Sequence, residues 1–126
     1  MVIFLKTSYF AKSGNVPGAV SISLYPPKWW TSHKYLPLAP TKDILHIADF
    51  DEYRRKYWVR VLGLLDPDVV YEELVAMTAP YEPILLCFEK NKSECHRSIA
   101  AYWLESCLDI QIKEIDEFID PQVRLF

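Results

Sequence analysis

Residues 84–98 of the chain read ILLCFEKNKSECHRS. The first five are an apolar run of strand length, and a polar turn separates them from a segment with helical periodicity. This order predicts a strand, a loop and a helix. Such a unit directs the backbone N–H groups of the first helical turn, and the positive end of the helix dipole, towards the carboxyl end of the strand. We therefore expect a functional site around Cys95, His96 and Arg97.

The segments on either side predict the rest of an α/β fold. Further strands are predicted at residues 2–5, 19–25 and 110–115, with a long polar loop at 6–18. Helices are predicted at residues 41–47 and after the N-cap residues Asp49, Asp66 and Ser93. The unbroken apolar run 84–88 is typical of a central strand that is covered on both faces. We expect one α/β domain over residues 1–126, with a small, mostly parallel sheet of about four strands and helices on both faces.

Composition narrows the class of protein. The chain has 126 residues, 51% of them hydrophobic, which is enough for one core without disulfides or metal. A net charge of −3 disfavours a general nucleic-acid coat protein. Three cysteines and a first segment unlike a signal peptide favour a cytoplasmic protein with reduced thiols. No apolar run is long enough to span a membrane, so no membrane partner is expected.

Cys95 and His96 are the residues predicted to carry any catalysis. If Ser93 is the N-cap, Cys95 takes the second helical position, where the dipole and Arg97 favour a thiolate. The alternative is that Cys95 is merely a small buried residue. A phosphatase-type loop is disfavoured, because Cys95 is too close to Arg97 and Cys87 is too far from it to wrap one phosphate between them.

A metal site is the next kind of site to consider for the same residues. Cys87, Cys95 and His96 could supply three soft ligands to zinc, but adjacent ligands are awkward and no fourth ligand is suggested by spacing. The sequence therefore predicts no metal and no cofactor. His96 and Arg97 at a helix start are instead the parts of an anion site. The alternative is that Arg97 pairs with Glu89 or Glu94 to fasten the loop.

A tryptophan-containing loop, residues 28–35, is the second place to look for function. Trp29 and Trp30 point in different directions from any backbone, so at most one is readily buried and the other is available for stacking. The alternative is that both pack against neighbouring loops. A non-catalytic protein-interaction module that uses Trp29, Trp30 and Tyr35 is accordingly the alternative function for the chain.

The preferred function is the binding, with or without processing, of a small anionic ligand such as a nucleotide or a nucleic-acid end. Ligands of α/β sheets lie at the carboxyl ends of strands, and both loops named above follow such ends. The ligand-binding residues expected there are Ser21, Ser23, Tyr25, Lys28, Trp29, Glu89, Lys90 and Arg97.

The chain also resembles a known family. Residues 85–90, 95–98 and 101–104, which read LLCFEK, CHRS and AYWL, are similar to the signature of domain-of-unknown-function family 488. Ile22-Ser23, followed by Pro26-Pro27-Lys28-Trp29 and Leu38-Ala39-Pro40, resembles its short subgroup. Many relatives carry an arginine where this chain has Leu24. The resemblance implies a small α/β fold and the place of a site, without a reaction.

Overall fold

The computed structural model describes residues 5–89 and 95–115, and a five-stranded sheet lies at its centre. The strands are β1 (Lys6–Tyr9), β2 (Ala19–Ser21), β3 (His33–Lys34), β4 (Ile84–Cys87) and β5 (Lys113–Glu114). Their order across the sheet is β3-β2-β4-β1-β5, and each of these four pairings is parallel. The predicted parallel α/β fold is confirmed, with five strands where about four were expected.

The apolar strand β4 occupies the middle of the sheet, as its composition predicted. It pairs with β1 on one side and with β2 on the other, so that Leu86 lies beside both Ser8 and Ser21. All four β4 residues are buried. Because neighbouring strands and side chains enclose β4, the loop after Cys87 leaves from the centre of the carboxyl edge.

Five α-helices in the described part of the chain pack around the sheet. They are α1 (Phe10–Ser13), α2 (Lys42–Leu45), α3 (Phe50–Arg60), α4 (Pro67–Thr78) and α5 (His96–Leu108), with 3₁₀ turns at Leu36–Leu38 and Leu62–Leu64. The predicted caps of α3 and α4 are present, because Asp49 and Asp66 each accept a hydrogen bond from the backbone N–H two residues on. None of the helices described here has the length and apolar character needed to cross a membrane.

Two clusters of apolar side chains cover the two faces of the sheet. The larger cluster contains Val20 and Leu85 of the sheet together with the buried sides of α3, α4 and α5. The smaller one contains Ile84 and Leu86 with Phe10 of α1 and Trp30. Helices therefore lie on both faces, but the three long ones share one face.

The first strands differ from the sequence-based expectation. Of the predicted strand at 2–5 only Leu5 is described, and β1 falls in the predicted loop because its polar residues find partners. Thr7 donates to Glu114, and the hydroxyls of Ser8 and Ser13 are hydrogen-bonded. Ser21 is buried together with Val20, because β2 has neighbours on both sides. The short strand β3 was not predicted.

The start of α5 also differs from expectation. Cys95, and not Ser93, is the N-cap residue, so that His96 is the first helical residue. Ser93 and residues 116–126 lie outside the described residues. Cys107, four residues after the buried Trp103 on α5, is exposed.

Candidate functional site

A cavity of about 630 Å³ lies at the carboxyl edge of the sheet, where β2 and β4 end and α5 begins. Cys87, Cys95 and His96 contribute two sulfur atoms and an imidazole to its lining. The other lining side chains are mainly apolar and aromatic, and include Phe50 and Tyr53 of α3. The site thus combines a concave apolar surface with a few polar groups, which is the usual form of a small-molecule site.

His96 is held in one protonation state by its surroundings. It is buried, and its Nε2 lies 2.6 Å from the carbonyl oxygen of Ile22. A carbonyl can only accept a hydrogen bond, so Nε2 carries the proton and Nδ1 is left with a lone pair. Burial lowers the pKa of His96 to about 4, against the hydrogen bond to Ile22 and reinforced by the charge of Arg97. The imidazole is therefore neutral at pH 7.

The thiols of Cys87 and Cys95 meet beside this imidazole. Their sulfur atoms are in bonding contact, as in a disulfide, and their Cα atoms are 7.1 Å apart. The Sγ of Cys95 lies 3.8 Å from Nδ1 of His96, and the two sulfurs and a ring nitrogen of His96 all lie within 4.8 Å of one another. The pairing differs from the reduced thiols expected from sequence. It arises because the last residue of β4 faces the N-cap of α5.

Arg97 lies inside the protein and is not one of the cavity-lining residues. Its side chain is fully buried, and Nε and Nη2 donate to the two carboxylate oxygens of Glu114 at 3.0 and 2.7 Å. Nη1 donates to Cys87 Sγ at 3.2 Å and to the carbonyl of Glu89. The guanidinium also lies 5.8 Å from the centroid of the Tyr9 ring. Arg97 thus makes structural contacts beside the cavity, and its contact with a ligand stays a prediction.

The structure brings together some of the other predicted ligand-binding residues. Ser23, Tyr25 and Glu89 line the cavity beside Cys95 and His96. Ser21 does not line it, because its side chain is buried in the sheet, where its hydroxyl accepts a hydrogen bond from the backbone N–H of Ser23 at 3.2 Å.

Lys28 and Trp29, also expected at the site, are exposed outside the cavity lining. Their loop turns towards the face of the sheet that carries Phe10, whose ring contacts Trp29, and not towards the cavity. Lys90 lies outside the described residues.

The two adjacent tryptophans have different environments. Trp29 is 58% exposed, whereas Trp30 is 5% exposed and donates its indole N–H to the carbonyl of His33 at 2.9 Å. Phe10 packs against both indoles and also against Phe88, which lines the cavity. One tryptophan is therefore a core residue, and the exposed one is separated from the cavity by two phenylalanines.

Several residues of the site were not found from the sequence. Phe50 and Tyr53 line the cavity from α3, and neither was among the residues predicted for the site. The acceptor for His96 is the backbone of Ile22, which no side-chain pattern reports. Glu114 lies in the strand predicted at 110–115, and its pairing with Arg97 has no signal in the sequence. Of these missed residues, only the aromatic pair Phe50 and Tyr53 near the N-terminus of α3 gave a signal in the sequence.

Part of the sequence that forms this site matches a known protein family. A family model described as "Domain of unknown function DUF488" matches residues 32–104, which is more than half of the chain. The chain belongs to the DUF488 family. The DUF488 match contains Cys87, Cys95, His96 and Arg97, whereas Ile22 and Glu114 lie outside it. Neither the curated proteins nor the solved structures gave a match to the chain.

Proposed function

We propose that this DUF488 protein binds a small ligand that carries a flat ring and one anionic group, with nucleoside monophosphates as the leading class. The observation that carries the proposal is the cavity of about 630 Å³ at the N-terminus of the 13-residue helix α5. Small-molecule sites measure about 300–1,000 Å³. In open α/β sheets such sites lie outside the carboxyl ends of the strands.

Aromatic side chains would hold the ring of the ligand. Phe50 and Tyr53 stack on each other with centroids 5.5 Å apart and planes inclined by 16°, and both line the cavity. Tyr25 and Phe88 line it as well and are more than half exposed. A flat ring that covers these surfaces removes apolar area from water and adds ring-to-ring contact.

The start of α5 would hold the anionic group. Cys95 is the N-cap, and a thiol is a weak hydrogen-bond acceptor, so a ligand oxygen is a better partner for the first-turn N–H groups. The dipole of a long helix favours negative charge at this end. His96 is neutral and Arg97 is paired with Glu114, so the attraction comes mainly from backbone N–H groups.

Glu89 and Ser23 would set the selectivity. Both line the cavity, and a carboxylate there accepts hydrogen bonds from sugar hydroxyls or an exocyclic amine. The same carboxylate repels additional negative charge. We therefore expect a monophosphate to bind more tightly than the corresponding triphosphate.

The experiment is calorimetric titration of the reduced protein with nucleoside monophosphates, the matching nucleosides and triphosphates, and inorganic phosphate. At least one monophosphate should bind more tightly than its nucleoside and than phosphate. Phe50→Ala should weaken that binding roughly tenfold, since it removes stacking area. Trp29→Ala is the matched control and should leave the affinity unchanged. Absence of binding by every member of the panel at millimolar concentration would refute the proposal.

The alternative function, a protein-interaction loop, is supported by fewer exposed residues than the sequence suggested. Trp30 is buried, and Tyr35 is buried with its hydroxyl donating to Glu73 at 2.5 Å, so both serve the core. That function would rest on the exposed rings of Trp29 and Phe88, each of which contacts Phe10. Loss of ligand binding in Phe50→Ala but not in Trp29→Ala separates the cavity from this surface.

A further inference from the structure

We propose that Cys87, Cys95 and His96 bind one zinc-class divalent cation when the two thiols are reduced. The three side chains are buried, and their potential ligand atoms lie within 4.8 Å of one another. The proposal concerns the cation alone and does not depend on the organic ligand proposed above.

The distance between one sulfur and the imidazole nitrogen is close to that of a shared ion, whereas the two bonded sulfurs would have to separate on reduction. With Zn–S and Zn–N lengths of about 2.3 and 2.0 Å, a tetrahedral site places a sulfur and a nitrogen about 3.5 Å apart and two sulfurs about 3.8 Å apart. Cys95 Sγ and His96 Nδ1 are 3.8 Å apart. The imidazole and one thiol therefore already have the spacing of two ligands of one ion.

The backbone spacing of the two cysteines also suits an ion between the sulfurs. The Cα atoms of Cys87 and Cys95 are 7.1 Å apart, beyond the range of roughly 4.4–6.8 Å that is usual for a disulfide. Their sulfurs nevertheless face each other. A metal ion bonded to both sulfurs spans a longer distance than one sulfur–sulfur bond, so it can join these two cysteines without movement of the backbone.

The environment of His96 is that of a metal-binding histidine. Nε2–H donates to the carbonyl of Ile22 at 2.6 Å, which leaves the lone pair of Nδ1 on the side of Cys95. Histidine ligands commonly donate their other N–H to a carbonyl or carboxylate in this way, which fixes the orientation of the ring.

The adjacency of Cys95 and His96 in sequence is accommodated by the backbone. Cys95 is extended, with φ −136° and ψ 147°, whereas His96 is the first helical residue. The change of backbone conformation between them lets both side chains reach one point. This removes the objection to adjacent ligands that the sequence alone raised.

The local charges favour a soft dication. Arg97 donates to Cys87 Sγ at 3.2 Å and its own charge is paired with Glu114, so two thiolates remain to be neutralised. Thiolate and imidazole ligands select zinc-class ions over magnesium or calcium. Because Cys87, Cys95 and His96 all line the cavity, an ion between them would keep its fourth position open to that cavity.

The test is anaerobic titration of the reduced, chelator-treated full chain with Co²⁺, a spectroscopic substitute for zinc. We expect one equivalent to bind, with the visible bands of tetrahedral cobalt and a near-ultraviolet thiolate charge-transfer band, and zinc to displace it. Cys87→Ser and Cys95→Ser should each weaken binding by roughly a hundredfold or more, since each removes a ligand. Cys107→Ser, which alters an exposed thiol outside the site, is the matched control and should bind as the unmodified chain does.

Alkylation of the unmodified chain gives a second measurement that needs no variant to fold. Without metal Cys107 should react quickly and the buried Cys87 and Cys95 more slowly, and zinc should lower the rates of Cys87 and Cys95 by roughly tenfold or more without changing that of Cys107. The proposal is overturned if reduced protein shows no cobalt bands, or if both serine variants retain them. It is also overturned if zinc leaves the alkylation rates of Cys87 and Cys95 unchanged.

Discussion

The guanidinium of Arg97 in α5 and the carboxylate of Glu114 in β5 form a buried two-point ion pair, with N–O distances of 3.0 and 2.7 Å. The hydroxyl of Thr7 in β1 donates to the same carboxylate at 2.6 Å. Through its remaining nitrogen Arg97 contacts Cys87 Sγ. The position of a cavity-lining thiol therefore depends on an acidic residue of the edge strand, which does not line the cavity.

Removal of this carboxylate should be strongly destabilising. Glu114→Ala removes the carboxylate that accepts two hydrogen bonds from the buried guanidinium of Arg97 and one from Thr7, and we expect the free energy of unfolding to fall by about 3–5 kcal/mol in urea titrations. Glu52→Ala is the control. It breaks the partly exposed ion pair between Glu52 and Lys56, at 3.0 Å, and should cost less than about 1 kcal/mol. Equal losses in both variants would contradict the structural role of Glu114.

The two tryptophans should respond differently to truncation. Trp30→Ala removes a buried indole and its hydrogen bond to the His33 carbonyl, and we expect a loss of about 3–5 kcal/mol in unfolding free energy. Trp29→Ala removes a mostly exposed ring and should cost about 1 kcal/mol or less. Thermal and urea unfolding of the two variants measure these losses of unfolding free energy. A larger loss for Trp29 would mean that the exposed and buried indoles are wrongly assigned.

Acidification should destabilise the metal-free protein through His96. Burial lowers the pKa of His96 from 6.5 to about 4. Between these values the unfolded chain binds a proton that the folded chain does not, so the contribution of neutral His96 to stability is complete above pH 6.5. It is lost as the pH falls towards 4, by up to about 1.4 kcal/mol per pH unit.

Urea titrations at several pH values, in chelator and reductant, measure the slope of the unfolding free energy against pH. His96→Gln keeps a side-chain donor for the Ile22 carbonyl but has no group that titrates. The slope for this variant between pH 4 and 6.5 should therefore be shallower. Parallel slopes for the two proteins would exclude His96 as the source of the acid sensitivity.

Gly18 should not tolerate a side chain. It precedes β2, and its carbonyl accepts a hydrogen bond from the backbone N–H of Ile84 at 2.9 Å. A β-carbon at Gly18 would overlap the backbone carbonyl of Glu82. Gly18→Ala should therefore lower the unfolding free energy by about 1–3 kcal/mol. In Gly63→Ala the β-carbon would lie 3.3 Å from the carbonyl oxygen of Trp58, so this variant should lose less unfolding free energy than Gly18→Ala. A larger loss in Gly63→Ala than in Gly18→Ala would contradict this account.

The features that could be predicted from sequence are those with local signals. The run at 84–88 predicted β4 because a central parallel strand needs apolar residues on both faces. Asp49 and Asp66 predicted the starts of α3 and α4 because a carboxylate accepts hydrogen bonds from first-turn N–H groups. The strand-turn-helix unit likewise placed Cys95 and His96 at the carboxyl edge of the sheet.

The features that were missed depend on contacts between distant segments. The pairing of Arg97 with Glu114 needs β5 to lie beside β1, and nothing near Arg97 in the sequence specifies that register. Thr7 and Ser8 look like loop residues until their buried partners are in place. Trp30 is the buried tryptophan because it belongs to the cluster with Ala19, Ile84 and Leu86, which come from other segments.

The segment shared with the family, residues 32–104, is smaller than the unit that can fold around the site. An excised fragment with those limits would lack β2, so β3 and β4 would have no strand between them. It would also lose the Ile22 carbonyl and the Glu114 carboxylate. Expression fragments designed on the family boundaries alone would therefore carry Cys87, Cys95 and His96 on an interrupted sheet.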